Sequence, residues 1–458
     1  MQHKRIQILE NESVYKAMLK LSLPMVLGML VQILYNLTDT FFVGKLNDHN
    51  QIAAVSLTMP LFMLLMALGS ILGTGGASYL SRTIGEKDYK SAGKAVAIAF
   101  YSCIFLGIAI TIPSLIFLKP IVGLLGTSPD TFQYSYDYSF ILICSGVIIL
   151  SNFAISQLLR AEGAAMESMM GMFIGTAVNI ILDPVFIFLF KMGVTGAAVA
   201  TVVGNIASLT YYILCYRGNK SMMSLSLSKF SFDGKIYLQI LIIGIPASLN
   251  QMLMGVANIV SNNIAVSYGD IAVASMGVAQ RVILMPIFII LGLAIGCQPL
   301  IGYSYGAGNY KRLKETVYKA ILVGTVIGVF FTVVYMLFSR QFILLFIKQD
   351  EVVETGVIIM RALTFSLPFL AVQMVITSAM QAMGKALPSL ILSISRQGLL
   401  YMPALLILNA LFGFNGFIYS QALTDILVMF ICLAMFIRSV SSLKPEPAAD
   451  LQNGNMEV

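Results

Sequence analysis

Long apolar runs separated by short polar segments dominate this chain of 458 residues. A hydrocarbon core about 30 Å thick needs roughly 20 apolar residues in helical form, and twelve stretches reach that length. Their predicted limits are 18–44, 52–78, 95–118, 136–160, 167–190, 194–216, 236–262, 271–301, 317–338, 355–383, 388–410 and 413–437. The runs do not alternate with the period of two that membrane β-barrels show. The pattern therefore predicts an all-α polytopic membrane protein with twelve transmembrane helices.

Composition and charge support a membrane location and give an orientation. Hydrophobic residues make up 58% of the chain and charged residues only 11%, against about 25% charged residues in a soluble domain. Of the 28 lysines and arginines, twenty fall in segments on the same side as the N-terminus and five on the other side. The positive-inside rule then places both termini in the cytoplasm. The predicted location is the cell (cytoplasmic or inner) membrane. The lysines and arginines of the cytoplasmic segments account for the net charge of +7. The chain has no basic run interleaved with aromatic residues, so nucleic-acid binding is not predicted.

The sequence lacks the motifs expected for disulfides, metal clusters, a signal peptide or ATP binding. The five cysteines lie in apolar stretches without ligand spacing, and the two histidines, His3 and His49, lie outside the spans, so neither disulfides nor a metal cluster are predicted. The polar N-terminus does not resemble a signal peptide. The sequence also contains no GxxxxGK[ST] phosphate-binding loop. We therefore predict no cofactor, no enzymatic activity and no use of ATP.

An internal repeat relates the two halves of the chain. The segment IGEKDYKSAGKAV (84–96) matches YGAGNYKRLKETV (305–317), and the offset stays near 220 residues. Further pairs are Pro24 with Pro246, Gly69 with Gly292, Gly73 with Gly296 and Gly163 with Gly384. Six spans separate the copies, so both insert in the same orientation and a pseudo-twofold axis runs along the membrane normal. The predicted parts are a cytoplasmic segment (1–17), an N-terminal lobe (18–216), a linker (217–235), a C-terminal lobe (236–437) and a disordered cytoplasmic tail (438–458).

Acidic residues break this symmetry. Asn36 aligns with Asn258, but Asp39 aligns with Ser261, and Asp183 falls near Met402. An ionisable group within a span is costly and is a functional candidate by default. The function of these acids is therefore assigned to the N-terminal lobe.

The predicted site lies at one depth of that lobe. Gln32, Tyr35, Asn36 and Asp39 share one face of the first span, and Met172, Thr176, Asn179 and Asp183 share one face of the fifth. Asn152 and Ser156 are four residues apart on the fourth span, and Thr201 lies on the sixth. Asp39, Asn179, Asp183 and Thr201 offer two carboxylates, an amide and a hydroxyl, which suit a hard monovalent cation such as Na⁺. Two neighbouring carboxylates would equally hold a proton, and structural contacts between helices are the alternative for the amide and the hydroxyl.

Four further charged residues, all on C-terminal-lobe helices, lie well inside the predicted spans and need an interpretation. Asp425 is either a second titratable site or a local partner for a nearby polar group, and we favour the structural interpretation. Arg281, Arg361 and Arg396 could line a cavity or pair with carbonyl groups.

The sequence resembles the multidrug and toxic compound extrusion (MATE) family over about residues 15–440. The resemblance rests on YNLTDTFFVGKL with Asp39, ILDPVFIF with Asp183, QLLRAEGAAMES, and GVAQRV with Arg281. It implies two six-helix lobes in a V, moving by alternating access. It also implies a monomeric antiporter, coupled to Na⁺ or H⁺ or both, that exports amphipathic and often cationic compounds.

The resemblance also assigns residues. It implies a cation site at Asp39, Asn179, Asp183 and Thr201, and substrate-facing positions at Gln32, Tyr35, Asn36, Asn152, Ser156, Met172 and Thr176. Some family members carry acids on spans seven and ten, whereas span seven here has none and span ten has only Arg361 and the nearby Glu354. A second ion site in the C-terminal lobe is therefore in doubt. The alternatives are a lipid-linked oligosaccharide flippase of the same superfamily and a membrane protein that does not transport.

Overall fold

The computed structural model describes residues 2–46, 48–218 and 221–443. Within these ranges the chain is helical and contains no β-strand. The first half contains α1 (Gln2–Glu10), α2 (Val14–Gly44), α3 (His49–Gly85), α4 (Tyr89–Ile116), α5 (Leu118–Leu124), α6 (Pro129–Cys144), α7 (Gly146–Ala161), α8 (Ala165–Pro184) with a π-helical turn (Val185–Leu189), and α9 (Val194–Arg217). The predicted disordered tail (438–458) begins inside the last helix, which ends at Ser441, and its residues from 444 onwards lie outside the described residues.

The second half repeats this order after a linker that contains a short 3₁₀ turn (Leu227–Lys229). It contains α10 (Gly234–Ser267), α11 (Asp270–Gly306), α12 (Tyr310–Leu344), α13 (Asp350–Thr364), α14 (Leu367–Ala382), α15 (Ala386–Ile394), a π-helical segment (Ser395–Tyr401) and α16 (Met402–Ser441).

Twelve spans follow from these helices once the bends are counted. Eight are continuous helices, if the π turn is counted with α8, and two are bent pairs: α6 with α7 at 52°, and α13 with α14 at 43°. The remaining helical stretch, Ala386–Ser441, has 56 residues and would be about 84 Å long if straight, nearly three times the hydrocarbon thickness. It reverses at Gly413, where φ is 56° and ψ is −137°, and so forms two spans. The prediction of twelve transmembrane helices is confirmed.

Replacing Gly413 by alanine should lower the thermal unfolding midpoint of the purified protein. The nearest atom to an added Cβ is the Tyr268 hydroxyl at 3.8 Å, so there is room for the methyl group. The cost comes from the combination of positive φ with ψ of −137°, which side chains other than glycine rarely adopt, at about 1–3 kcal/mol. Gly277→Ala is the matched control, because Gly277 has ordinary helical geometry with no atom within 4 Å of an added Cβ. Equal midpoints for the two variants would contradict the reversal at Gly413.

Backbone landmarks recur in both halves at an offset of 220 or 221 residues. Positive φ angles occur at Gly163 and Gly384, and again at Gly193 and Gly413. The bent pairs α6–α7 and α13–α14 also occupy equivalent places in the order of helices. The chain therefore forms two six-helix lobes related by a pseudo-twofold axis, as the repeat predicts.

The packing corrects the predicted register of two glycine pairs. The sequence pairs Gly69 with Gly292 and Gly73 with Gly296. However, α3 ends at Gly85 and α11 ends at Gly306, so Gly296 corresponds to Gly75. The offset is therefore 221 residues here rather than 223, and both predicted pairs are wrong by two residues.

The lobes meet at the end of the bundle where α2 and α10 begin and α3 and α11 end, which we call the base. A Cβ added to Gly75 would lie 2.1 Å from the carbonyl oxygen of Ile240, and one added to Gly244 would lie 1.7 Å from that of Ile71. Only glycine allows backbones to approach this closely. Similar contacts join α2 to α11 at Gly292 and Gly296, and α3 to α11 at Gly85 and Gly306.

Towards the opposite end the lobes separate. Asn36 on α2 and Asn258 on α10 are both exposed there, in the halves of their helices away from the base. An amide facing lipid would lose its hydrogen bonds, so these side chains face a polar cleft between the lobes. The structure is thus a V that is closed at the base and open at the opposite end.

Candidate functional site

Three helices of the N-terminal lobe hold the predicted cation site. Asn179 and Asp183 lie one turn apart near the end of α8, Thr201 lies in the first third of α9, and Asp39 lies near the end of α2. A Cβ added to Gly204 on α9 would lie 2.6 Å from the carbonyl oxygen of Gly175 on α8. This close crossing brings the polar faces of α8 and α9 together.

Hydrogen bonds join most of the predicted site residues. The Asn179 side-chain amide donates to Asp183 Oδ1 at 3.4 Å and to Thr201 Oγ1 at 3.4 Å. The Thr201 hydroxyl also lies 3.3 Å from the Tyr35 hydroxyl on α2. The structure therefore brings together Asn179, Asp183 and Thr201 of the predicted cation site and Tyr35 of the predicted substrate-facing positions.

Two oxygen atoms at the centre of this cluster have no hydrogen-bond donor among the residues that the structure describes. They are Asp183 Oδ2 and Asn179 Oδ1, and both are buried. Asp183 is 0% exposed and Asn179 is 2% exposed. A buried acceptor without a donor costs about 1–3 kcal/mol, and more when it is charged. A cation or a proton bound between these oxygens would satisfy them.

Asp39 faces the same cluster from α2. Its side chain is half-buried, and its charge acts on Asp183, on Tyr35 and on Tyr138 of α6. Like charges repel each other more strongly in a medium of low dielectric than in water. Binding of a positive ion would relieve that repulsion, so the pair of aspartates favours loading of the site with a cation.

A second hydrogen-bond chain reaches the cluster from α7. Asn152 Nδ2 donates to Asn205 Oδ1 at 2.7 Å, and Asn205 Nδ2 donates to the carbonyl oxygen of Thr201 at 2.8 Å. Asn205 was not among the predicted site residues. Its position four residues after Thr201, on the same face of α9, is the signal that could have identified it. Tyr138 was not predicted either, because polar side chains occupy nearly every face of the first half of α6 and none of them stands out.

The other predicted substrate-facing residues differ in their surroundings. The Ser156 hydroxyl lies 3.2 Å from the Ser168 hydroxyl and so ties α7 to α8. Met172 packs on α2. Its sulfur would lie 3.3 Å from a Cβ added to Gly28 on that helix. Gln32, Asn36 and Thr176 are half-buried or exposed.

In the C-terminal lobe, three of the charged residues singled out in the sequence, Arg361, Arg396 and Asp425, have local partners. Asp425 is 1% exposed and accepts from Arg396 Nε at 3.2 Å and from Gln421 Nε2 at 3.2 Å. Arg361 Nε donates to Ser339 Oγ at 3.2 Å, whereas Arg281 is exposed. These contacts agree with the structural interpretation of Asp425. Ser261, which occupies the place of Asp39, is buried and lies beside Tyr401.

The donor set at the N-terminal site suits a monovalent ion rather than a firmly held divalent or transition metal. In the part of the chain that the structure describes, no group of three or more His, Cys, Asp or Glu side chains could hold a metal ion. Two carboxylates with neutral amide and hydroxyl oxygens are hard ligands of modest total charge.

Comparison with known proteins matches the repeat and the fold. The MatE family model matches residues 24–185 and again 246–407. Multidrug export protein MepA of Staphylococcus aureus (strain MSSA476) is 34% identical over 425 residues, covering 93% of this chain and 94% of its own length. MepA of Staphylococcus haemolyticus is 33% identical over 437 residues, covering 95% and 96%.

Solved structures give the same result. A transporter described as MATE in complex with MaL6 superposes with a TM-score of 0.92 at 29% identity, covering 97% of this chain and 100% of the other. A multidrug resistance MATE transporter of the MOP superfamily, in an outward-facing conformation, superposes with a TM-score of 0.91 at 29% identity, covering 97% and 99%.

Proposed function

The chain belongs to the MATE family of transporters, and from this premise we propose that it exports amphipathic, often cationic organic compounds by antiport against Na⁺ or H⁺. The relatives named above as multidrug export proteins support the substrate class. The chemistry is transport and needs no covalent step. Each chain contains both lobes and a complete site, so the expected functional unit is a monomer in the lipid bilayer.

The base is assigned to the cytoplasm. The lysines and arginines concentrate in the segments that connect helices at that end, and positive loops remain on the cytoplasmic side. The open cleft then faces outward, and both termini lie inside the cell. In this state external ions reach the N-terminal site and a bound compound can leave.

Coupling requires the ion to bind the two states unequally, because equal affinity for both would shift nothing. In the outward-open state, Asp39 and Asp183 can take up a cation from the cleft. A compound held among Gln32, Tyr35 and Asn36 would then be released, since ion and substrate share the same helix face. Return to the base-open state would deliver the ion to the cytoplasm.

One observation carries this proposal. The buried oxygens of Asp183 and Asn179 lack donors, whereas the buried Asp425 of the other lobe has two. Structural acids in membranes are paired, so an unpaired one marks a place that something else fills. The proposed occupant is the coupling ion.

Replacing Asp39 by asparagine should abolish gradient-driven transport. We would reconstitute the wild type and Asp39→Asn in proteoliposomes and follow a fluorescent cationic dye under a Na⁺ gradient and, separately, a pH gradient. The wild type should respond to at least one gradient, which identifies the ion, and the variant should fall to the level of empty liposomes. Asp270→Asn is the control, because Asp270 is exposed at the far end of α11. Normal transport by Asp39→Asn would contradict the coupling role and favour the flippase alternative.

A further inference from the structure

A short helix before the first span lies across the base and contacts both lobes. In the N-terminal lobe, the Arg5 guanidinium forms an ion pair with Glu167 at the start of α8. Leu9 is 1% exposed, and its Cδ1 would lie 3.6 Å from a Cβ on Gly163 in the α7–α8 loop. α1 is thus fixed to the N-terminal lobe by one ion pair and one buried side chain.

The other lobe holds the opposite end of α1. Arg312, in the first turn of α12, donates from Nη1 to the carbonyl oxygen of Glu12 at 2.7 Å and from Nη2 to that of Ile8 at 3.2 Å. Glu10 also interacts with Tyr303 of α11. The last carbonyls of a helix have no partner within the helix, and a positive charge at that end is favoured. Arg312 meets both needs at the Ile8 carbonyl, and its bond to Glu12 reaches the connection between α1 and α2.

These contacts lie directly beside the closed interface between the lobes. There, Ser78 of the N-terminal lobe donates to the carbonyl oxygen of Gln381 of the C-terminal lobe, and Gln298 Nε2, within the C-terminal lobe, donates to Gln381 Oε1 at 3.3 Å. Cys297 is 0% exposed, and its sulfur lies 3.5 Å from the Ser22 hydroxyl across the same interface. α1 therefore joins the two lobes where they would have to separate.

We propose that residues 5–12 form a strap that holds the base closed and must release the C-terminal lobe before the base can open. The strap thereby sets the balance between the base-closed and base-open states. This inference rests on the proposed function, because alternating access requires the base to open. The strap adds a control element outside both the ion site and the substrate cleft.

The contacts indicate which end releases. Only Asn11, Glu12 and Ser13 separate α1 from α2, so the helix is bound to follow the N-terminal lobe. Its hold on the C-terminal lobe depends mainly on Arg312, whose partners are backbone carbonyls and whose side chain is half-buried. Water can replace such hydrogen bonds at low net cost. Release at Arg312 is therefore the expected first step.

The native Cys297 reports whether the base is open. It is inaccessible in the closed state and would meet solvent when α2 and α11 separate. We would expose the purified full-length protein to a maleimide, without gradient or substrate, and quantify modification of Cys297 by peptide mass spectrometry. Arg312→Ala should raise the labelling rate about tenfold, which corresponds to about 1.4 kcal/mol. Lys314→Ala, on the same helix and exposed, should not change it.

A second variant tests the strap from its other attachment. Arg5→Ala should raise Cys297 labelling less than Arg312→Ala does, because Leu9 and the three residues that connect α1 to α2 still hold the helix on the N-terminal lobe. In the double variant, Arg5→Ala should add nothing to the effect of Arg312→Ala, because the strap has already released the C-terminal lobe. Additive effects of the two substitutions, or no effect of Arg312→Ala, would overturn the strap. Gly244→Ala should force the base apart, so its Cys297 labelling rate serves as the reference for an open base. If it raises labelling while both strap variants do not, the strap is wrong and alternating access stands. If no variant raises labelling, both proposals fail.

Discussion

Asp183→Asn is expected to abolish ion-driven export without weakening the fold. Asp183 is 0% exposed and one of its oxygens has no donor, so its negative charge is held in the lobe at a cost. Asparagine has nearly the same shape and removes that cost. The thermal unfolding midpoint in the absence of Na⁺ should be equal to or above that of the wild type, while dye transport in proteoliposomes should fall to background.

The same variant should lose stabilisation by the coupling ion. If Na⁺ binds only the folded wild type, a concentration 100 times the Kd adds about 2.7 kcal/mol to its stability. The midpoint of the wild type should then rise with Na⁺ and that of Asp183→Asn should not. If H⁺ is the ion, neither midpoint should respond to Na⁺. The test is then whether Asp183→Asn loses dye transport under a pH gradient. Transport at the wild-type rate would contradict the assignment of Asp183.

Asp425→Asn is the matched control and should behave in the opposite way. Asp425 pairs with Arg396, and removing one partner of a buried pair costs about 3–5 kcal/mol because the other charge remains. The midpoint should fall, while the protein that stays folded should still transport. Similar results for the two aspartates would mean that pairing does not separate structural from functional acids in this chain.

The span pattern and the repeat were readable from the sequence because the bilayer imposes them. Hydrophobic length and loop charge fix the number and direction of helices, and both were visible without coordinates. The N-terminal strap was not. Residues 2–10 are polar and short, and an isolated helix of that length is marginal, so contacts with Glu167 and Arg312 decide its structure. Such contacts join residues about 160 and 300 positions apart.

The candidate site was predictable as a set of residues but not as a network. Depth along each helix placed Asp39, Asp183 and Thr201 at one level, and the structure places Thr201 and Asp183 around the same amide. Asn205 escaped notice because an amide within a span has several structural explanations. The missing donors at Asp183 and Asn179 could be seen only when every neighbour was in position, since satisfaction of a polar group depends on geometry rather than on spacing.

Gly244→Ala is expected to shift the protein away from the base-closed state. A Cβ at this position would lie 1.7 Å from the carbonyl oxygen of Ile71 and 2.6 Å from its carbonyl carbon. Carbon and oxygen normally approach to about 3.3 Å, and both elements here are backbone, so the lobes themselves must move by more than about 1.5 Å. Overpacking of this kind costs about 1–3 kcal/mol or more, which changes the ratio of states by roughly tenfold to a hundredfold.

Transport should fall by a similar factor, because the state that releases substrate outward becomes rare, while Cys297 labelling rises. Gly255→Ala is the control on the same helix, since its added Cβ would meet only the sulfur of Met63 at 3.9 Å. A glycine-to-alanine change in open helix should stabilise the protein by about 0.5–1 kcal/mol and leave transport unchanged. If Gly244→Ala also transports normally with Cys297 protected, the closed base is not a required state of the cycle. The glycine crossings would then serve folding alone.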